Sequence, residues 1–165
     1  MQELFRKADA LNKKYQYASK ERVAQELLSE YKNIPFDIML WFFVRHSWQG
    51  DEIIQGFENF NIKNSKFYIE ELNNDKLQDK NIIDYAPFAN YSAPYIVESD
   101  DTVDWYKFDY FKLGTWDYPI VAIKQNGKLL VIDGTNRFRH MLICLKNNFN
   151  FIKENHLINI IEEYN

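Results

Sequence analysis

Near the start of the chain, apolar positions recur at helical spacing. Leu4, Ala8, Leu11 and Tyr15 share one face of a first helix. Ser19 is placed to cap a second, whose apolar face is Val23, Ala24, Leu27, Leu28 and Tyr31. Pro35 suits a first helical turn. The run behind it, from Phe36 through Trp41 to Val44, is apolar on all sides. That pattern predicts a central buried helix, with a buried strand as the alternative. Gly50 reads as a helix stop and Asp51 as the cap of a further helix carrying Ile53, Ile54, Phe57 and Phe60.

The middle of the chain is less regular. Lys66 to Glu70 suits a short strand, and Asn73, Asn74 and Asp75 mark a turn. Pro87 and Pro94 bracket an aromatic loop from Phe88 to Tyr91, and Tyr95-Ile96-Val97 suits another strand. Asp101 can cap a helix in which Val103, Tyr106 and Tyr110 share a face and which Gly114 ends. Pro119 then opens a strand through Ile123, at a position where a missing N–H costs no ladder bond. Asn126-Gly127 is a strong hairpin signal, and Lys128 to Ile132 is the returning strand. After Asp133-Gly134, a helix carries Phe138, Met141, Leu142 and Leu145 inward and closes at Asn147-Asn148. Leu157, Ile160 and Ile161 predict a last helix.

These elements predict an α+β fold. A helical lobe over residues 1–65 packs on a domain over 66–165, a small mixed sheet built around strand, hairpin, strand, glycine turn and helix. The expected core includes Leu40, Phe43, Val121, Ile123, Leu130, Ile132, Met141 and Leu145.

Composition narrows the classes. The chain has 165 residues, enough for one domain with an appended lobe, and 46% are hydrophobic, which excludes a disordered chain. A single cysteine, Cys144, excludes an intrachain disulfide scaffold and suits a reducing, cytoplasmic setting. No apolar run approaches the ~20 residues that span a bilayer, so no membrane partner is expected. The net charge of −4 disfavours a general nucleic-acid binder.

The chemistry concentrates at Asp133-Gly134-Thr135-Asn136-Arg137-Phe138-Arg139. A strand ends, a glycine turns the chain and a helix begins at once, so free N–H groups and the helix dipole favour an anion. Gly134 lets a phosphate approach the backbone. Thr135 and Asn136 can cap the helix or bond a ligand, and the planar fork of Arg137 can clamp phosphate. Asp133 could hold a metal, orient a hydroxyl or accept a proton. Arg139 adds positive charge, and His140, one turn beyond Asn136, could face the same site.

At these residues the chain resembles the ParB/sulfiredoxin superfamily, over roughly residues 101 to 150. Members share a Pro-Ile strand, a hairpin, a second strand and a Gly-x-x-Arg turn entering a helix. The ParB turn, of Gly-Glu-Arg-Arg type, contacts nucleotide phosphates. Gly134 and Arg137 match its first and last positions, and Arg139 a further basic one, while Thr135 and Asn136 depart from it. In sulfiredoxins the turn is Gly-Cys-His-Arg with a catalytic Cys. Thr135 stands at that position, so the resemblance implies no reductase chemistry. Free-serine kinases of the superfamily carry Asp-Gly-His-x-Arg, and their Asp and Arg carry over to Asp133 and Arg137.

Two functions from different classes follow. In the first, Gly134 to Arg137 with Arg139 and His140 bind a nucleotide or other phosphorylated small molecule, and Mg²⁺ with Asp133 supports phosphoryl transfer or hydrolysis. In the second, the chain is a small acidic protein-binding module, of inhibitor, immunity or phage-regulator type. It would act through aromatic residues such as Trp105 and Trp116 and the run Glu98, Asp100, Asp101 and Asp104. Simpler readings stand beside both. The turn can be a plain N-cap, the arginines solvated charges and the aromatics core. His140 and Cys144 have metal-ligand spacing, but no second pair exists to complete a site, so no metal ligands are assigned.

Overall fold

Helix α1 (Gln2–Lys14) buries Leu4 and Ala8 as the spacing predicts, but its inner face is completed by Phe5 and Asn12, while Leu11 and Tyr15 are only half-buried. Ser19 caps α2 (Lys20–Leu28) by accepting from the Arg22 N–H at 3.3 Å, and Val23, Ala24 and Leu27 turn inward. These are features of a computed structural model that describes residues 1–17, 19–53, 55–57, 59–85 and 114–164. The expected aromatic loop after Pro87, the strand at Tyr95 to Val97, the helix from Asp101 and the acidic run lie outside the described residues.

Pro35 caps α3 (Phe36–Ile38), which continues directly as a π-helical segment, Met39–Val44. The Arg45 N–H reaches back five residues to the Leu40 carbonyl at 3.1 Å. The apolar run is therefore helical but not buried all round. Met39, Phe42, Phe43 and Val44 are sealed, while Trp41 is 40% and Phe36 38% exposed. The rings of Phe5, Phe42 and Phe43 meet at centroid distances of 4.8 to 5.4 Å. Asn12 donates to the Val44 carbonyl at 2.9 Å and the Ser47 hydroxyl at 2.8 Å, satisfying the end of the π segment.

Gly50 does not stop a helix. It opens α4 (Gly50–Ile53), and a Cβ there would lie 2.5 Å from that of Phe5. Close approach of α1, not a left-handed turn, requires the glycine. Phe57 and Phe60 are buried beyond the end of α4.

Strand β1 (Ser65–Asn73) is longer than the expected one, because Asn73 ends it by capping α5 (Asn74–Leu77). Then come β2 (Ile82–Asp84), β3 (Ile120–Gln125), β4 (Lys128–Asp133), α6 (Thr135–Lys146) and β5 (Asn155–Glu163). The five strands form one mixed sheet in the order β1-β5-β3-β4-β2, and the fold is α+β. Strands β3 and β4 are the predicted hairpin, with Asn126 at φ 51° and Gly127 at φ 74°, the positive pair a type I′ turn needs. Strand β2 pairs parallel to β4, Asp84 opposite Val131. Backbone bonds Asn74 N–H to Glu154 and Tyr164 N–H to Asn64, both 3.0 Å, make β1 and β5 antiparallel.

The expected last helix is β5. His156, Ile158 and Ile160 are buried while Leu157 is exposed, a period of two that the i, i+3, i+4 set of Leu157, Ile160 and Ile161 concealed.

The chain divides into two compact units, Met1–Phe67 with Ile161–Asn165, and Tyr68–Ile160. In the second, Ile120, Ala122, Val131, Phe138, Met141, Ile158 and Ile160 form the centre of the core. Of the expected core, Leu40, Phe43, Val121, Ile123, Ile132 and Met141 are buried, but Leu130 and Leu145 are only half-buried. Among the described residues no helix is long and apolar enough to cross a membrane.

Candidate functional site

The parallel pair β2 and β4 ends at two carboxylates, Asp84 and Asp133, and α6 starts just beyond. Gly134 makes the turn at φ +76°, and a Cβ there would sit 2.6 Å from both Arg137 Nη2 and Ile120 Cγ2. Both the backbone angle and the space demand glycine. The N-cap residue is Gly134 itself, which has no side chain to accept from the first N–H groups of α6. Thr135 is half-buried and Asn136 exposed at that start.

The arginines are turned to internal partners. Arg137 is 6% exposed and donates from Nη1 to the Tyr118 carbonyl at 2.8 Å. Its Nη2 stands 3.7 Å from Asp133 Oδ2, and its guanidinium lies over the Tyr118 ring at 3.9 Å. Arg139 pairs through Nε with Asp84 Oδ2, leaving Asp84 Oδ1 buried without a hydrogen bond. These two pairs tie α6 to the carboxyl ends of β2 and β4. His140 is also buried, and its pKa falls to about 4, first by desolvation and then by the Arg139 charge. Burial pushes the Cys144 thiol up to about 11, so it is inert at neutral pH.

The expected residues thus share one turn, but with divided duties. Asn136 is exposed and Thr135 half-buried, while Arg137 and Arg139 hold the turn from within. Among the described residues no three His, Cys, Asp or Glu converge as a metal site. With Asp133 and Asp84 each paired to an arginine, the donor set does not form a dedicated Mg²⁺ site. No family model, curated protein or solved structure matches the chain.

A second constellation lies in an open cleft of about 510 Å³ lined by Glu71, Thr115, Trp116, Asp117, Lys153 and Leu157, among others. Beside it, Thr115 Oγ1 is 2.8 Å from His156 Nδ1, and His156 Nε2 is 2.8 Å from Asn74 Oδ1. His156 is 1% exposed, and burial above all lowers its pKa to about 4. Trp116 backs the imidazole at 5.2 Å between centroids and donates its Nε1–H to the Leu157 carbonyl at 2.7 Å. Sequence reasoning missed these residues because they stand 41 and 82 positions apart and form no local motif.

Proposed function

We propose that the start of α6 binds the phosphate of a nucleotide or other phosphorylated small molecule. The observation that carries this reading is a left-handed Gly134 that opens a helix directly beyond a strand end. That start lies at the carboxyl ends of the parallel strands β2 and β4, the end at which open α/β sheets take ligands. The resemblance to ParB/sulfiredoxin proteins at Asp133, Gly134 and Arg137 favours the same turn. In this reading the backbone N–H groups of Thr135 and Asn136 meet the phosphate, and the exposed Asn136 amide adds a donor. Arg137 acts as a positioning residue. It lends positive charge beneath the turn but is committed to Asp133 and Tyr118. Any Mg²⁺ would arrive with the nucleotide, and no phosphoryl-transfer step is assigned.

One observation favours the protein-binding reading. Trp48 is 70% exposed, Trp41 40% and Phe36 38%, more aromatic surface than core packing requires. Titration calorimetry with ATP, ADP, CTP and inorganic phosphate, each with and without Mg²⁺, decides between the two. Binding by a nucleotide supports the phosphate site. Silence from all four at millimolar concentration transfers the function to the aromatic surface.

A further inference from the structure

We propose that Thr115, His156 and Asn74 form a second, catalytic site, in which the Thr115 hydroxyl attacks the carbonyl of a neutral or cationic ester held in the cleft.

The warrant is the order of donors and acceptors. In this relay His156 Nε2 carries the proton and donates it to Asn74 Oδ1 across 2.8 Å. Nδ1 then holds its lone pair toward the Thr115 hydroxyl, also at 2.8 Å. A nucleophile, a base and a group that orients the base stand in line, which is the arrangement of activated hydroxyl and thiol enzymes. The three residues come from separate elements: Thr115 from the segment before β3, His156 from β5 and Asn74 from α5. No short-range turn or cap brings them together.

Exposure follows the same order. Thr115 is half-buried on the cleft wall, while the imidazole behind it is sealed. Burial lowers the His156 pKa to about 4, Lys153's charge acts in the same direction, and the Lys153 carbonyl opposes them. The ring is therefore neutral at pH 7, with a lone pair available. Glu71, Asp117 and Glu154 outnumber Lys153 around the cleft, which disfavours an anionic substrate. The Trp116 and Leu157 walls suit an apolar acyl or alcohol portion. None of the residues at the Gly134 turn lines this cleft, so the site stands or falls apart from the phosphate reading.

The reaction balances without a cofactor. Thr115 Oγ bonds to the ester carbonyl carbon as its proton passes to His156 Nδ1. The bond from carbonyl carbon to alkoxy oxygen breaks, and the same proton goes to the departing alcohol. Water then adds to the acyl-threonine with His156 again taking the proton, releasing the carboxylic acid and restoring Thr115 O–H.

The test uses the full chain and 4-nitrophenyl acetate. Nitrophenolate release, with an acetyl group located on Thr115 by peptide mass spectrometry, is the expected result. Thr115→Ser should retain turnover, and Thr115→Val should lose it by roughly 100-fold or more. Equal rates for wild type and Thr115→Val would overturn the proposal. Should the valine variant fail to fold, two-bond ¹H–¹⁵N correlation on the wild type decides. A neutral ring protonated at Nε2 supports the relay, and one protonated at Nδ1 overturns it.

Discussion

Arg137 occupies the space that a side chain at position 134 would need. A Cβ on Gly134 would lie 2.6 Å from the Arg137 Nη2 and 3.0 Å from its Cζ. The two residues are one device. The glycine turns the chain through φ +76°, and the opening it leaves holds the guanidinium against Asp133 and Tyr118.

Gly134→Ala should therefore cost about 2 kcal/mol or more, since backbone strain and the displaced guanidinium add. Thermal unfolding measures it. Gly127, also at positive φ but with nothing within 4 Å of a Cβ, should show the backbone penalty alone.

Arg137→Ala should destabilise by about 3 kcal/mol, because it removes a buried guanidinium that contacts Asp133, whose side chain is only 13% exposed, and donates to the Tyr118 carbonyl. The double variant Arg137→Met with Asp133→Leu should be less costly than the sum of its singles. Urea titrations of the four-protein cycle report the coupling; additivity would show that the pair does not interact.

Asn136→Asp should move stability and ligand binding in opposite directions. A carboxylate in the first turn of α6 complements the helix dipole by about 0.3–1 kcal/mol. The same charge repels phosphate. Melting temperature should rise while calorimetric affinity for nucleotide falls, and a parallel change in both would contradict the proposed anion site.

Acid should weaken the fold between pH 6.5 and 4. His140 and His156 both have native pKa values lowered from 6.5 to about 4, chiefly by burial. The unfolded chain takes up their protons first, so stability is full above pH 6.5 and is lost as pH falls toward 4. Each contributes about 3 kcal/mol to that loss. Denaturant midpoints at pH 7 and 4.5, repeated on His140→Gln and His156→Gln, should show a shallower loss in each variant.

Local chemistry made much of this architecture legible. Asn126-Gly127 announces its own hairpin, and Gly134 its own turn, because each conformation is set by one or two residues. Strand β5 is not legible locally, because Leu157, Ile160 and Ile161 satisfy a helical spacing and only pairing with β1 and β3 decides for a strand. The Gly134 turn was visible, but not the inward commitment of Arg137, since Tyr118 and Asp133 become its partners only when β3 and β4 lie side by side. Thr115 and His156 carry no local signal, and Asn74 only that of a turn. Hydrogen bonds between residues 41 and 82 positions apart exist only in the folded chain.

The pairing of β1 with β5 bears on the order in which the molecule assembles. The β3–β4 hairpin and α6 are contiguous in sequence, so they can meet early, at low loop-closure entropy. Strand β5 must wait for a segment far upstream, and contacts at such separation form slowly. His156 and Asn74, 82 positions apart, sit where that late closure happens. Refolding followed through Trp116, which packs on His156, should therefore lag behind the helical signal of α6.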